Sequence, residues 1–217
     1  MPEEFLDMRD MWRRVLLLSL LWLMPALGFA AAPHAILVMG DSLSAAYGID
    51  PAQGWVTLLQ QRLRSSGYDY TVANASVSGE TTSGGLTRLP GALKAHPPGV
   101  VIIELGANDG LRGLPIQVMH DNLVRMITLS QAAGAKVVLA GVLLPPNYGG
   151  PYTQAFARTY ADLAKQYRLP LIPFLLADVA EHRDMVQADG MHPLAKAEPQ
   201  VLDNVWPILK PLLHKKK

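Results

Sequence analysis

Four short stretches of this 217-residue chain carry side chains that can do chemistry. Gly40-Asp41-Ser42-Leu43-Ser44 offers a hydroxyl. The stretch from Ser76 to Thr82 contains Gly79. Gly106-Ala107-Asn108-Asp109-Gly110 offers a side-chain amide. Asp189-Gly190-Met191-His192-Pro193 sets a carboxylate three residues before an imidazole. Each stretch alone reads as an ordinary turn or helix cap. Together they supply the parts of nucleophilic acyl transfer. A serine needs a base, and neutral imidazole suits pH 7. The imidazole needs an acceptor on its other nitrogen to fix its tautomer, and a carboxylate provides one. One tight turn brings Asp189 and His192 together. A tetrahedral intermediate needs donors aimed at its oxyanion. The candidates are the N–H of Ser42 at a helix start, the N–H of Gly79 and the amide of Asn108. A glycine at position 79 lets backbone approach a substrate without a Cβ in the way.

These stretches need a scaffold, and the rest of the sequence describes one. Continuous apolar runs fall at 35–39, 70–75, 100–105, 136–143 and 170–174. They lack period-2 alternation, so they suit strands buried on both faces of a parallel sheet. Amphipathic stretches at 54–64, 115–133, 154–167 and 196–213 read as helices. Pro199, Pro207 and Pro211 are expected to interrupt the last of them. The alternation predicts an α/β chain, a three-layer α/β/α sandwich on a five-stranded, mainly parallel, flavodoxin-like sheet. In such a sheet function sits at the carboxyl ends of the strands, which is where the first three stretches fall.

Composition removes other classes. The chain has no cysteine, which excludes disulfides, thiolate metal sites and a thiol nucleophile. Its net charge of +1 lacks the footprint of a nucleic-acid binder. His34, His96, His120, His182 and His214 lack the spacing of metal ligands, so no metal or cofactor is expected. Val15 to Ala32 carry no charge, follow Arg13-Arg14 and end in three alanines. Residues 1–32 are therefore read as a signal peptide, with an uncleaved anchor as the alternative. That reading predicts a periplasmic or secreted protein, with one domain over residues 33–217.

The four blocks, in this order, resemble those of the SGNH (GDSL) hydrolase family. They fall on Ser42, Gly79, Asn108 and His192, with Asp189 as the triad acid. The resemblance extends through residues 40–48, 106–113 and 146–149, and is nearest the bacterial periplasmic thioesterase, lysophospholipase and arylesterase branch. It implies a serine esterase acting on acyl esters and thioesters, including lysophospholipids, acyl-CoA and aryl esters. It also implies small-molecule substrates, a monomer, and substrate contacts from Asp41, Leu43, Asp109, Leu111, Pro146, Asn147 and Tyr148. Asp41 is further read as an acceptor for nearby backbone, and Asp109 as a loop anchor. One departure is the Leu143-Leu144 pair, where some relatives are expected to carry a basic residue. Ser44 stands where a G-x-S-x-G elbow needs glycine, so the α/β-hydrolase arrangement is disfavoured. Two alternatives remain at this point. One is a carbohydrate O-deacetylase of the same fold, and the other a flavodoxin-like binding module that uses Asp41.

Overall fold

The computed structural model describes residues 34–215. The leader reading lies outside the described residues. Five parallel strands form the sheet: β1 (Ala35–Gly40), β2 (Thr71–Asn74), β3 (Val100–Glu104), β4 (Lys136–Ala140) and β5 (Leu171–Ile172). Their spatial order is β2-β1-β3-β4-β5, the flavodoxin-like arrangement that the sequence predicts. The strands are short apolar runs because both faces are covered. On β1, Ile36 and Val38 enter one core while Leu37 and Met39 enter the other.

The helices divide accordingly. α1 (Trp55–Ser65) supplies Trp55, Leu59 and Leu63 to the first core, opposite Val201, Leu202, Val205 and Leu209 of the C-terminal helix. The second face is covered by α2 (Thr82–Ala95), α4 (Ile116–Ala132) and α5 (Gly150–Tyr167). A five-residue helix, α3 (Ala107–Leu111), follows β3. The C-terminal helix is α6 (Glu198–Leu209). Among the described residues no helix is long and apolar enough to cross a membrane.

Two elements differ from the sequence reading. α2 was not legible, because Gly84, Gly85, Pro90 and Gly91 are poor helix formers. Tertiary packing supplies what propensity lacks. Gly85 lies so close to β3's end that a Cβ there would come within 2.3 Å of Leu105. The second difference is at the C-terminus. The last helix runs through Pro207, with Pro199 accommodated in its first turn, and only Pro211 lies beyond it. The apolar face formed by Val201, Leu202, Val205 and Leu209 outweighs the one backbone bond that Pro207 removes.

α1 receives its cap from across the core. Its N-cap, Gly54, has no side chain, and the carboxyl of Glu198 on α6 accepts the Trp55 N–H at 2.8 Å. Burial raises this carboxyl to about 7, against the opposing pull of that N–H. The native state therefore holds a proton that the unfolded chain has released. This stabilisation is complete below the ordinary glutamate value and is lost as pH rises through about 7. Thermal unfolding should show Tm falling between pH 5 and pH 8.5. Glu198→Gln keeps an acceptor but cannot ionise, so its fall should be shallower. Parallel Tm curves for the two proteins would contradict the assignment.

Candidate active site

The catalytic candidates meet at the carboxyl ends of β1 and β3. Ser42 follows β1 directly. It lies in a hydrogen-bonded turn rather than at the helix start that the sequence reading expects. Ala45 N–H donates to the Asp41 carbonyl and Tyr47 N–H to that of Ser42, and the chain then leaves the turn through Ala46 at φ +57°. The oxyanion contribution of a helix dipole at Ser42 is accordingly absent.

His192 comes from a loop far along the chain. A bridge between Val186 and Pro193 closes that loop. Gln187 N–H donates to the His192 carbonyl at 2.7 Å. The Gln187 side-chain amide donates to the carbonyls of Tyr47 and Pro193, at 2.8 and 2.9 Å, joining the loop to the Ser42 turn. His192 Nε2 lies 2.8 Å from Ser42 Oγ, and its Nδ1 lies 2.7 Å from Asp189 Oδ2. Asp189 Oδ1 accepts the N–H groups of Met191 and His192, at 2.9 and 3.1 Å. Partial burial pushes the Asp189 carboxyl up, but these two N–H groups and the imidazole outweigh it and bring it down to about 2. Asp189 thus stays ionised at neutral pH. The Tyr47 ring lies 4.6 Å from the His192 ring and covers it. Sequence reasoning gave neither Tyr47 nor Gln187 a part in the site, although Tyr47 lies within the 40–48 block that carries the resemblance.

Asn108 sits in the first turn of α3, after Gly106 at φ +124°. A Cβ on Gly106 would come within 2.2 Å of the Tyr160 hydroxyl, so only glycine fits there. One Asn108 amide hydrogen goes to Asp41 Oδ2 at 3.1 Å, which leaves the other for a substrate oxygen. The remaining Asp41 oxygen accepts the Leu43 N–H at 3.1 Å. Asp41 is fully buried. Burial raises its carboxyl to about 6, with the Leu43 N–H, His192 and the Asn108 amide opposing.

The sequence reading places Asp41 and Asp109 among the substrate contacts; Asp41 lines the cavity beside Ser42, and Asp109 does not. Asp41 meets the cavity floor, but both its oxygens are engaged by Leu43 and Asn108. Asp109 is also buried. It accepts the Thr82 hydroxyl at 2.6 Å and the Thr82 N–H at 2.8 Å, pinning the start of α2. Its expected role as a loop anchor is the one its geometry serves.

A cavity of about 430 Å³ opens beside Ser42, Asn108 and His192. Its walls are apolar and include Leu43, Leu111, Val142, Leu144, Phe174 and Leu176. Of the residues expected along the substrate, Asp41, Leu43, Leu111 and Pro146 line it. Asn147 and Tyr148 stand outside, where the Tyr148 hydroxyl donates to the Leu111 carbonyl at 3.0 Å. Leu143 and Met191 are exposed at the mouth. Gly79 does not line the cavity. It has φ +79°, Arg112 holds its carbonyl at 2.8 Å, and no hydrogen bond among the described residues engages its N–H.

This geometry fits the resemblance carried by the four blocks, and comparison with known proteins decides the matter. The model of the GDSL-like Lipase/Acylhydrolase family matches residues 38–197. The chain belongs to this family. Esterase TesA of Pseudomonas aeruginosa is 52% identical over 200 residues, covering 92% of this chain and all of the relative. An arylesterase of Vibrio mimicus is 43% identical over 87% of this chain and 94% of its own length. Thioesterase 1/protease 1/lysophospholipase L1 of Escherichia coli is 40% identical over 85% of this chain and 88% of its own. A crystal structure of TesA superposes with a TM-score of 0.81 at 54% identity, over 82% of this chain and 99% of that one. As a GDSL-like acylhydrolase the protein is a serine hydrolase of carboxylic esters and thioesters. The binding-module alternative falls with that assignment, and with the full engagement of Asp41 inside the fold.

Proposed function

We propose that Ser42 is the nucleophile, His192 its general base, and Asp189 the group that orients and charges the imidazole. The observation that carries this is one hydrogen-bonded line, Asp189 to His192 to Ser42, at 2.7 and 2.8 Å. In the reaction, His192 Nε2 takes the Ser42 proton as Oγ attacks the acyl carbonyl. The carbonyl π electrons move to oxygen, and the Ser42 N–H, the Gly79 N–H and the Asn108 amide receive the oxyanion. The intermediate then collapses. The imidazolium returns its proton to the leaving alkoxide or thiolate, and an ester on Ser42 remains. Water, deprotonated by His192, repeats the sequence and releases the free acid.

The acyl chain is placed in the apolar cavity, between Leu43 and Leu111 on one side and Val142, Leu144 and Phe174 on the other. Leu143 and Met191 meet the leaving group at the mouth, which favours aryl, thioester and lysophospholipid leaving groups without a required anion. Residues 1–32 are proposed as a cleaved export signal, with residues 33–217 acting as a monomer in the periplasm or outside the cell. The uncharged run that follows Arg13-Arg14 supports this.

A series of chromogenic acyl esters and acyl-CoA thioesters tests the substrate class, with acetylated sugars and a lysophospholipid as further arms. Turnover should rise with chain length until the cavity is filled. A flat response would remove the acyl cavity from the mechanism, and turnover confined to acetylated sugars would favour the deacetylase. Asn108→Ala should lower kcat by about 10²–10³-fold while KM changes far less, because the donor engages oxygen only as charge develops. An unchanged kcat would place the oxyanion elsewhere.

A further inference from the structure

We infer that Glu104 is a positioning residue, a buried acid that ties down the chain on both sides of Ser42; this rests on Ser42 being the nucleophile. Glu104 ends β3, the central strand of the sheet, and has no exposed surface. Its Oε2 accepts the Asp41 N–H at 3.2 Å and the Ser44 hydroxyl at 2.7 Å. These residues flank Ser42, one position before it and two after. The turn needs such support, because it does not continue into a helix and few backbone bonds hold it. A third tie comes from β2, where the Asn74 amide donates to the Ser44 carbonyl at 2.8 Å.

The fold keeps a place for this carboxyl. Gly40 is the register partner of Glu104 across β1 and β3. A Cβ on Gly40 would come within 2.6 Å of Glu104 Oε2 and 2.7 Å of the Ser44 side chain. The leading glycine of the Gly-Asp-Ser block is thus explained by the acid that lies over it. The protonation state follows from the partners. Both accepted bonds fall on Oε2, while Oε1 is buried with no partner among the described residues. A charged carboxylate there would set a second negative charge, out of water, beside the buried Asp41 carboxyl. Burial first, and then the Asp41 charge, hold Glu104 well above the usual carboxylate range. A neutral Glu104 leaves Asp41 free to carry the charge that orients Asn108.

The test compares Glu104→Leu, Glu104→Gln and Ser42→Ala in steady-state hydrolysis of a chromogenic acyl ester. Inactivation by a phosphonate ester, which reports the nucleophile directly, is measured in parallel. Glu104→Leu fills similar volume but accepts no bond. It should lower kcat by about 10²-fold, the scale of a nucleophile misplaced by about 1 Å. KM should change little, and phosphonate inactivation should slow in step. Glu104→Gln keeps an accepting oxygen without charge and should recover most of the loss. A folded Glu104→Leu with wild-type kcat would overturn the inference, as would a Glu104→Gln as slow as Glu104→Leu. Retained turnover in Ser42→Ala would instead refute the nucleophile beneath it. If Glu104→Leu fails to fold, Ser44→Ala removes the shorter of the two bonds. It should lose kcat severalfold at constant KM, and a wild-type kcat there would equally overturn the inference.

Discussion

Ser42→Ala is expected to lower kcat by about 10⁶-fold, and His192→Ala by a comparable factor. The two side chains are halves of one proton transfer across 2.8 Å, and neither replaces the other. Losing the hydroxyl removes the atom that attacks. Losing the imidazole leaves a hydroxyl whose proton has nowhere to go. The effects should therefore not add. The double variant should hydrolyse a chromogenic ester about as slowly as either single one, with a residue of catalysis from the oxyanion donors and substrate binding. A phosphonate ester should label the wild type and fail to label Ser42→Ala. Labelling of Ser42→Ala at the wild-type rate would move the nucleophile elsewhere. A double variant as slow as the product of the two single losses would separate the two residues into independent roles.

The second large effect belongs to Asp189. Asp189→Asn should lower kcat by about 10⁴-fold with little change in fold. Asp189 uses its oxygens differently. Oδ1 takes two backbone N–H groups, and Oδ2 takes the imidazole. An amide has one accepting oxygen, and the two N–H groups will claim it. Its NH₂ then faces His192 Nδ1, which must accept. The imidazole proton is forced onto Nε2, pointing at Ser42, and the base is gone. With Asp189 held near 2 in the wild type, its own protonation does not enter the kcat/KM profile near neutral pH. Steady-state kinetics at neutral pH, with circular dichroism to confirm the fold, measures the loss. An Asp189→Asn enzyme within tenfold of wild type would mean that this carboxylate does not set the tautomer.

Much of this fold is legible in the sequence. The five runs and their parallel sheet followed from apolar stretches too continuous for a one-faced strand, and the sheet order agrees with them. α2 was hidden because its glycines and proline oppose helix formation, and its packing against Leu105 overrides them. Tyr47 and Gln187 were hidden for another reason. Their parts depend on a contact between two loops about 140 residues apart, which leaves no local mark. Glu104 left a faint signal, a single carboxylate closing an otherwise apolar strand just before the Asn108 block.

The sequence by itself determined the chemistry on offer. With no cysteine present, the nucleophile is an oxygen, and the three-residue step from Asp189 to His192 makes their pairing a local matter of one turn. The tertiary structure decided which groups face substrate and which face the protein. Asp41 and Asp109 occupy motif positions as prominent as Ser42 and Asn108, yet both are buried and engaged by internal donors. A motif specifies side-chain types at set spacings along the chain. Whether a carboxylate meets solvent or an N–H depends on what the rest of the fold brings against it. Here β3 brings Glu104 against the Ser42 turn, and a loop about 150 residues away brings His192 to Ser42.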